Sequence, residues 1–252
     1  MFKLEKNALA FDGGHSDEFS CQTCRLLLGS PEEFQVAEII YGKQAVFNER
    51  CIFTLGGAHY NHITLNGDKI EQNKVYEANK DDILNFEGLE LGFRLYLMAS
   101  RFDKSRVGCR RSKQVNAYLS CKGKIRVIKG QEFNYLNNPE ALLEYPFVIS
   151  ANSGLGGLRL EGEKVTASKY DIASSIVDDG VVQLTANGPI VLLRERQVTG
   201  GYPRILSVIQ ADIDTLAQYR IGERVRFELI ELTEAKTLFL QREKELKNLE
   251  VN

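Results

Sequence analysis

Hydrophobic and polar positions alternate with a period of two along much of this chain, as they do in strands with one wet face. Val225, Phe227 and Leu229 alternate with Arg224, Arg226 and Glu228, and Ile125, Arg126 and Val127 repeat the pattern more briefly. Ile190 to Leu193 is instead a continuous apolar run after the turn signal Asn187-Gly188-Pro189. It predicts a central strand buried on both faces. Ile63 to Leu65, Asn66-Gly67 and Ile70 predict a hairpin, because Asn-Gly supplies the positive φ angles of a tight turn.

Helical spacing is rarer. Phe19, Leu26 and Leu27, followed by Gly29, predict a helix over Phe19 to Leu28. Asp212 to Tyr219 predicts two turns capped by the aspartate and ended near Gly222. Thr233 to Leu249 predicts a C-terminal helix, with Thr233 as cap and Ala235, Leu238, Phe239, Leu246 and Leu249 as an apolar stripe. Many strands and few short helices predict a mainly β architecture, barrel-like or sandwich-like. Arg101 to Gln114 is dense in Arg and Lys and poor in apolar residues. It predicts a boundary between a β subdomain over residues 1–114 and a second over residues 115–252.

Composition adds exclusions. A chain of 252 residues with 43% hydrophobic content supports one large or two small cores. The formal charge is −2, with 32 basic and 34 acidic residues interspersed, so no basic stripe predicts a nucleic-acid partner. Met1 to Lys6 leads into no apolar segment, so no signal peptide is expected. No apolar run approaches the roughly 20 residues that span a bilayer, and no membrane role is expected. Five cysteines without framework spacing suit a reducing cytoplasm.

Four places carry candidate chemistry. Cys21-Gln22-Thr23-Cys24 has the spacing of half a zinc site or a redox pair, but no second pair accompanies it, and the same residues fit the buried side of a helix. His59 and His62, with His15, are potential metal donors. Residues three apart on a strand point to opposite faces, however, so no metal site is expected. Ser153-Gly154-Leu155-Gly156-Gly157 reads either as a tight turn or as backbone N–H groups converging on an anion. The segment Arg194 to Arg204 leaves an apolar strand and contains arginines, Gln197, Thr199, Gly200, Gly201, Tyr202 and Pro203. It reads either as a carboxylate- or phosphate-binding loop or as a solvated turn whose arginines pair with nearby acids.

At this loop the chain resembles a known family. Pro189 to Leu193, Arg196-Gln197 and Thr199 to Pro203 are similar to "PIVLLADRQTTGGYP", a signature of the bacterial 5-oxoprolinase C-subunit family. That family is also called allophanate hydrolase subunit 2, or biotin-dependent carboxyltransferase-related. Glu195 stands at its aspartate and Val198 at its first threonine. Ile205 to Asp212 is similar to "IATVISAD", Gly222 to Phe227 to "GDRVRF", Arg159 to Gly162 to "RLEG", and Gly180 to Leu184 to "GAIQV". The chain departs from the family in lacking the "TTVQDLGR" stretch and in reading Ser153 to Gly157 where the family has "SDRMG".

The resemblance implies a cyclophilin-like β-barrel with few short helices and a C-terminal helix. It implies a B-subunit partner in a hetero-oligomer and ATP, on this subunit or on the partner. The expected activity is assistance in ATP-dependent hydrolysis of 5-oxoproline or a related small amide. The implied pocket comprises Arg196, Gln197, Thr199, Gly200, Gly201 and Tyr202, with Asn152, Arg159 and Gln183 from the flanking motifs. Two other readings stand beside it: a catalytically degenerate binding or regulatory subunit of the kinase-inhibitor-antagonist type, and a carboxyltransferase-related domain of the urea carboxylase or urea amidolyase type. No biotin attachment site is visible.

Overall fold

A computed structural model describes residues 1–13, 16–109 and 123–247. The chain divides into two compact units, Met1–Ser120 with Lys244–Asn252, and Cys121–Glu243. The boundary expected at residue 114 lies outside the described residues, as do His15, Cys121 and Leu249.

The first unit contains β1 (Phe2–Leu4), β2 (Leu9–Asp12), β3 (Phe34–Tyr41), β4 (Gln44–Phe47), β5 (Cys51–Leu65), β6 (Asp68–Lys69), β7 (Tyr76–Ala78) and β8 (Ile83–Arg101). Their order is β1-β4-β8-β3-β2, and β5 pairs with β6, β7 and β8. The segment Leu95 to Ala99 reads as one apolar run because both faces of β8 are covered. Leu95, Leu97 and Ala99 pack with Phe47, Phe53 and Leu55. Tyr96 and Met98 turn to the opposite face and meet Cys24 and Leu28 from α1 (Glu18–Leu27) and the residue that follows it. The Asn66-Gly67 hairpin forms as expected, with φ of 53° and 94°.

Helix α1 also forms as expected. Asp17 caps it by accepting from Ser20 N at 3.0 Å, and Gly29 follows with φ of 85°. Cys24 is buried in the core. Burial, with Asp17 and Glu38 nearby, pushes the Cys21 thiol up to about 11. A thiol that stays protonated at neutral pH is a poor nucleophile and metal ligand, so the pair acts as packing.

One buried charge pair organises this unit. Arg94 Nε donates to Glu38 Oε1 at 2.7 Å, and their side chains are 4% and 3% exposed. Glu38 also accepts from Tyr96 Oη at 3.1 Å, while Asp17 N donates to Tyr96 Oη at 2.8 Å. The pair therefore ties the start of α1 to β3 and β8.

The second unit closes a seven-stranded barrel in the order β10-β11-β14-β13-β16-β9-β17. These strands are β9 (Lys124–Lys129), β10 (Phe147–Ile149), β11 (Gly157–Glu161), β13 (Val181–Thr185), β14 (Gly188–Leu192), β16 (Arg204–Val208) and β17 (Arg224–Leu229). A separate ribbon pairs β12 (Ser175–Ile176) with β15 (Thr199–Gly200). The helices are α2 (Pro139–Leu143), α3 (Gln210–Ala217) and α4 (Leu232–Lys247). The expected mainly β barrel with few helices is therefore present. Ile125, Val127, Leu158, Val182, Leu184, Val191, Val225 and Phe227 fill its interior. No helix among the described residues is long and apolar enough to cross a membrane.

Three expectations are corrected. Helix α3 starts at Gln210, so Asp212 lies in its first turn rather than at its cap. There it accepts from Arg126 N at 2.8 Å and from Arg126 Nε at 3.0 Å. The strand expected at Ile190 to Leu193 is β14, which ends at Leu192, and Ile190 on its outer face is only half-buried. The stripe on α4 buries no residue: Ala235, Leu238 and Leu246 are half-buried and Phe239 is 40% exposed. Arg242 anchors that helix instead, donating to Ala211 O and, at 2.8 Å, to Asp214 Oδ2.

Removing one member of a buried ion pair leaves the other charge unpaired, which costs about 3–5 kcal/mol, whereas an apolar replacement of both is often neutral. Arg94→Met is therefore expected to lower unfolding free energy in urea by about that amount. The double variant with Glu38→Leu is expected to recover most of the loss. A single variant as stable as wild type would refute this assignment.

Candidate functional site

Strand register decides what shares the outer wall of the barrel. Arg159 faces Ile190, Ile190 faces Gln183, and Gln183 faces Arg204 across β11, β14, β13 and β16. Directly opposed residues project to the same side. The neighbouring row of Leu158, Val191, Val182 and Leu206 belongs to the core. Arg159, Ile190, Gln183 and Arg204 therefore point outward. On an open barrel wall Gln183 would be wet, yet it is 1% exposed.

Its cover is the loop between β14 and β16. The loop folds back so that β15 lies against β12 and Gly200 comes down on the Gln183 carboxamide. A Cβ on Gly200 would stand 2.4 Å from Gln183 Nε2. This close approach, rather than a turn, is what glycine supplies here. Gln197 donates to Gln183 Oε1 at 3.5 Å, which leaves Nε2 as the other end of the amide. Gln183 Nε2 and Ser175 Oγ are both buried without a hydrogen-bond partner among the described residues.

The arginines of the loop are all engaged by protein groups. Arg194 Nη1 meets Asp214 Oδ1 at 2.7 Å. Arg196 donates from Nε to Val177 O at 3.0 Å and from Nη2 to Asp178 Oδ1 at 3.3 Å, clamping the ribbon's other half. Arg204 makes a two-pronged pair with Glu132 at 2.8 and 2.9 Å. Its hydrogen bonds hold the Glu132 carboxyl below the usual glutamate range. By contrast, Arg159 is exposed, and no ion pair forms to it among the described residues.

Gln183, Gln197, Thr199, Gly200 and Gly201 thus come together on one side of the barrel. Thr199 is exposed on β15 and Tyr202 is 41% exposed at the exit of the loop. Asn152 is exposed on the turn between β10 and β11, near Arg159, whose N–H donates to Ser153 Oγ at 3.0 Å. The Ser153 to Gly157 segment is a tight turn: Gly154 N donates to Gly157 O at 3.0 Å and Gly157 N to Gly154 O at 3.2 Å. Those N–H groups are paired with each other rather than aimed at an anion. His59 lies 3.4 Å from Glu90 on the edge of β5. No group of three potential metal donors occurs among the described residues.

Ser175, Val177 and Glu132 were invisible as site residues from sequence. Each reaches the loop from far along the chain, in a segment with no distinctive spacing.

Comparison with known proteins places the chain in a family and a fold. The family described as carboxyltransferase domain, subdomain A and B, matches residues 11–107 and 99–229. The C-subunit of 5-oxoprolinase from Haemophilus influenzae is 37% identical over 94 residues, 36% of this chain and 30% of that protein. That of Escherichia coli is 37% identical over 117 residues, 44% of this chain and 37% of that protein. The matched stretch therefore spans about a third of these relatives' own length. In three dimensions the whole chain superposes on 20% of Kluyveromyces lactis urea amidolyase with a TM-score of 0.82 and 17% identity, a likeness of fold.

The Gly200 contact yields one prediction. A Cβ there forces the Gln183 carboxamide to shift, so Gly200→Ala is expected to cost about 1 kcal/mol or more by overpacking, measured by urea unfolding. Shortening the partner in Gly200→Ala/Gln183→Ala should relieve part of that cost. Full stability of the single variant would show that the ribbon does not rest on Gln183.

The Glu132 shift yields another. A carboxylate with a lowered folded pKa contributes stability that is present above its unfolded value and is lost as pH falls through the folded one. Glu132→Gln is therefore expected to be less stable than wild type at neutral pH, with the gap closing in strong acid. A gap that stays constant with pH would refute the pairing.

Proposed function

The chain belongs to the carboxyltransferase domain, subdomain A and B, family, and on that footing we propose that it acts as a C-subunit of the 5-oxoprolinase type. It would assist ATP-dependent hydrolysis of 5-oxoproline or a related small amide in a hetero-oligomer with a B-subunit-like protein. The observation that carries this reading is the loop from Pro189 to Pro203, similar to the C-subunit signature, folded over the Gln183 carboxamide, whose Nε2 is buried without a partner among the described residues. A carboxamide donor is suited to an amide carbonyl, and its hydrogen bond strengthens as negative charge develops on that oxygen. On this reading ATP binds on this subunit or on the partner, and the pairing of Arg194, Arg196 and Arg204 with carboxylates supports the partner as the holder of its phosphates. The setting is the cytoplasm, where Cys21, Cys24, Cys51 and Cys109 stay as the free thiols they are here.

A regulatory subunit without chemistry of its own is the second reading. It is favoured by Leu155 and its glycine neighbours standing where the family carries an acid and an arginine, and by the clamp role of Arg196.

Co-purification with the B-subunit-like protein and an assay of 5-oxoproline-dependent ATP turnover tests the first reading. Turnover above background is expected, and Arg196→Ala should lower it roughly ten-fold by loosening the ribbon. An intact complex with no such turnover would overturn the catalytic proposal. Turnover indifferent to Arg196→Ala would favour the regulatory one.

A further inference from the structure

The ribbon covers two buried polar atoms that no other described residue satisfies. Native structures rarely bury a donor without a partner, and those that do so call for a reason. Gln183 Nε2 and Ser175 Oγ are such atoms, and both adjoin Gly200. Gly200 is the cross-strand partner of Ser175, and its missing side chain makes room for the Gln183 amide. Gln197 occupies Gln183 Oε1, so the free end is the NH2 group. The NH2 and the hydroxyl flank the same glycine, an arrangement that offers two donors to a single acceptor oxygen.

Charge selects the kind of acceptor. Each guanidinium on the loop sits against a carboxylate. Glu195 is exposed on the loop, and Asp178, which pairs with Arg196, is 82% exposed. A carboxylate or phosphate here would find every loop guanidinium already paired, with no loop cation free to compensate its desolvation. An uncharged carbonyl oxygen would lose little solvation and would satisfy both donors.

The cover itself is slight. Two residues pair on each side. Val177 N donates to Val198 O at 3.1 Å and Ile172 N to Gly201 O at 2.9 Å. The side-chain fastening is Arg196, which grips Val177 O and Asp178. We propose that this ribbon is a movable cover, latched by Arg196, over a notch in which Gln183 Nε2 and Ser175 Oγ take an uncharged amide carbonyl oxygen, any charge on the ligand lying outside the notch. The choice of an amide rests on the functional reading above. Within it Arg196 is a positioning residue, and Gln183 and Ser175 set specificity.

The test uses the full-length chain alone, labelled with 15N, and follows the Gln183 side-chain amide by NMR. The probe is 2-pyrrolidone, an uncharged lactam, with acetate and inorganic phosphate as comparators. Saturable shifts of the Gln183 amide with 2-pyrrolidone, and none with the two anions, are expected. Gln183→Met, close in volume but without the donor, should weaken binding roughly ten-fold or more while unfolding at an equal or higher urea concentration. Arg196→Ala should speed hydrogen exchange at the Val177 and Ile172 amides and tighten binding, because the open state becomes more populated.

No saturable shift would overturn the notch, as would unchanged binding by Gln183→Met. A stronger response to acetate or phosphate would overturn the uncharged class. Unchanged exchange in Arg196→Ala would overturn the latch. The outcomes also separate this proposal from the functional reading. Binding of 2-pyrrolidone by a chain that supports no turnover leaves the notch standing. Turnover unaffected by Gln183→Met leaves only the enzymatic role.

Discussion

A closed barrel leaves each strand residue two destinations, the interior or the outer wall, and the wall is wet unless something lies over it. Everything distinctive about the second unit follows from that constraint at Gln183. Its strand neighbours Val182 and Leu184 fill the interior, so alternation sends Gln183 outward. The loop after β14 then returns across the wall, and Gly200 is the residue through which backbone and carboxamide approach. A polar group that would have been solvated becomes a buried one whose donor end is unpaired.

The same fold disposes of the loop's positive charge. A run with Arg194, Arg196 and Arg204 looks like an anion site when only neighbours in sequence are considered. In three dimensions Asp214, Asp178 and Glu132 come to meet these guanidiniums, and the cations become fasteners. Such pairs, partly shielded and sharing several hydrogen bonds, position backbone more than they attract ligands. The first unit uses the device in its deepest form at Glu38 and Arg94, where the ion pair and Tyr96 fix the entry to α1.

The C-terminal helix shows how far periodicity can mislead. Its leucines and Phe239 have the spacing of a buried stripe, yet no residue of α4 is buried, and Arg242 reaching Asp214 and Ala211 does the anchoring. Asp212 is a comparable case. An aspartate opening a helical run is a natural cap, but Arg126 lies across from it on β9 and engages both its oxygens. A side chain with a strong distant partner follows that partner.

Local patterns that depend only on neighbouring residues were legible in the sequence alone. The Asn66-Gly67 hairpin, the stop of α1 at Gly29 and the alternation of β9 and β17 depend on backbone φ preferences and on period-two burial, which act over a few residues. The barrel was legible too, through the motif running from Pro189 to Phe227. What tertiary structure alone decided was the fate of polar side chains. Ser175 meets Gly200 and Glu132 meets Arg204 only after the barrel has closed. Hydrogen bonds and ion pairs between groups far apart along the chain leave no periodic trace in it, because their geometry exists only once the strands are registered.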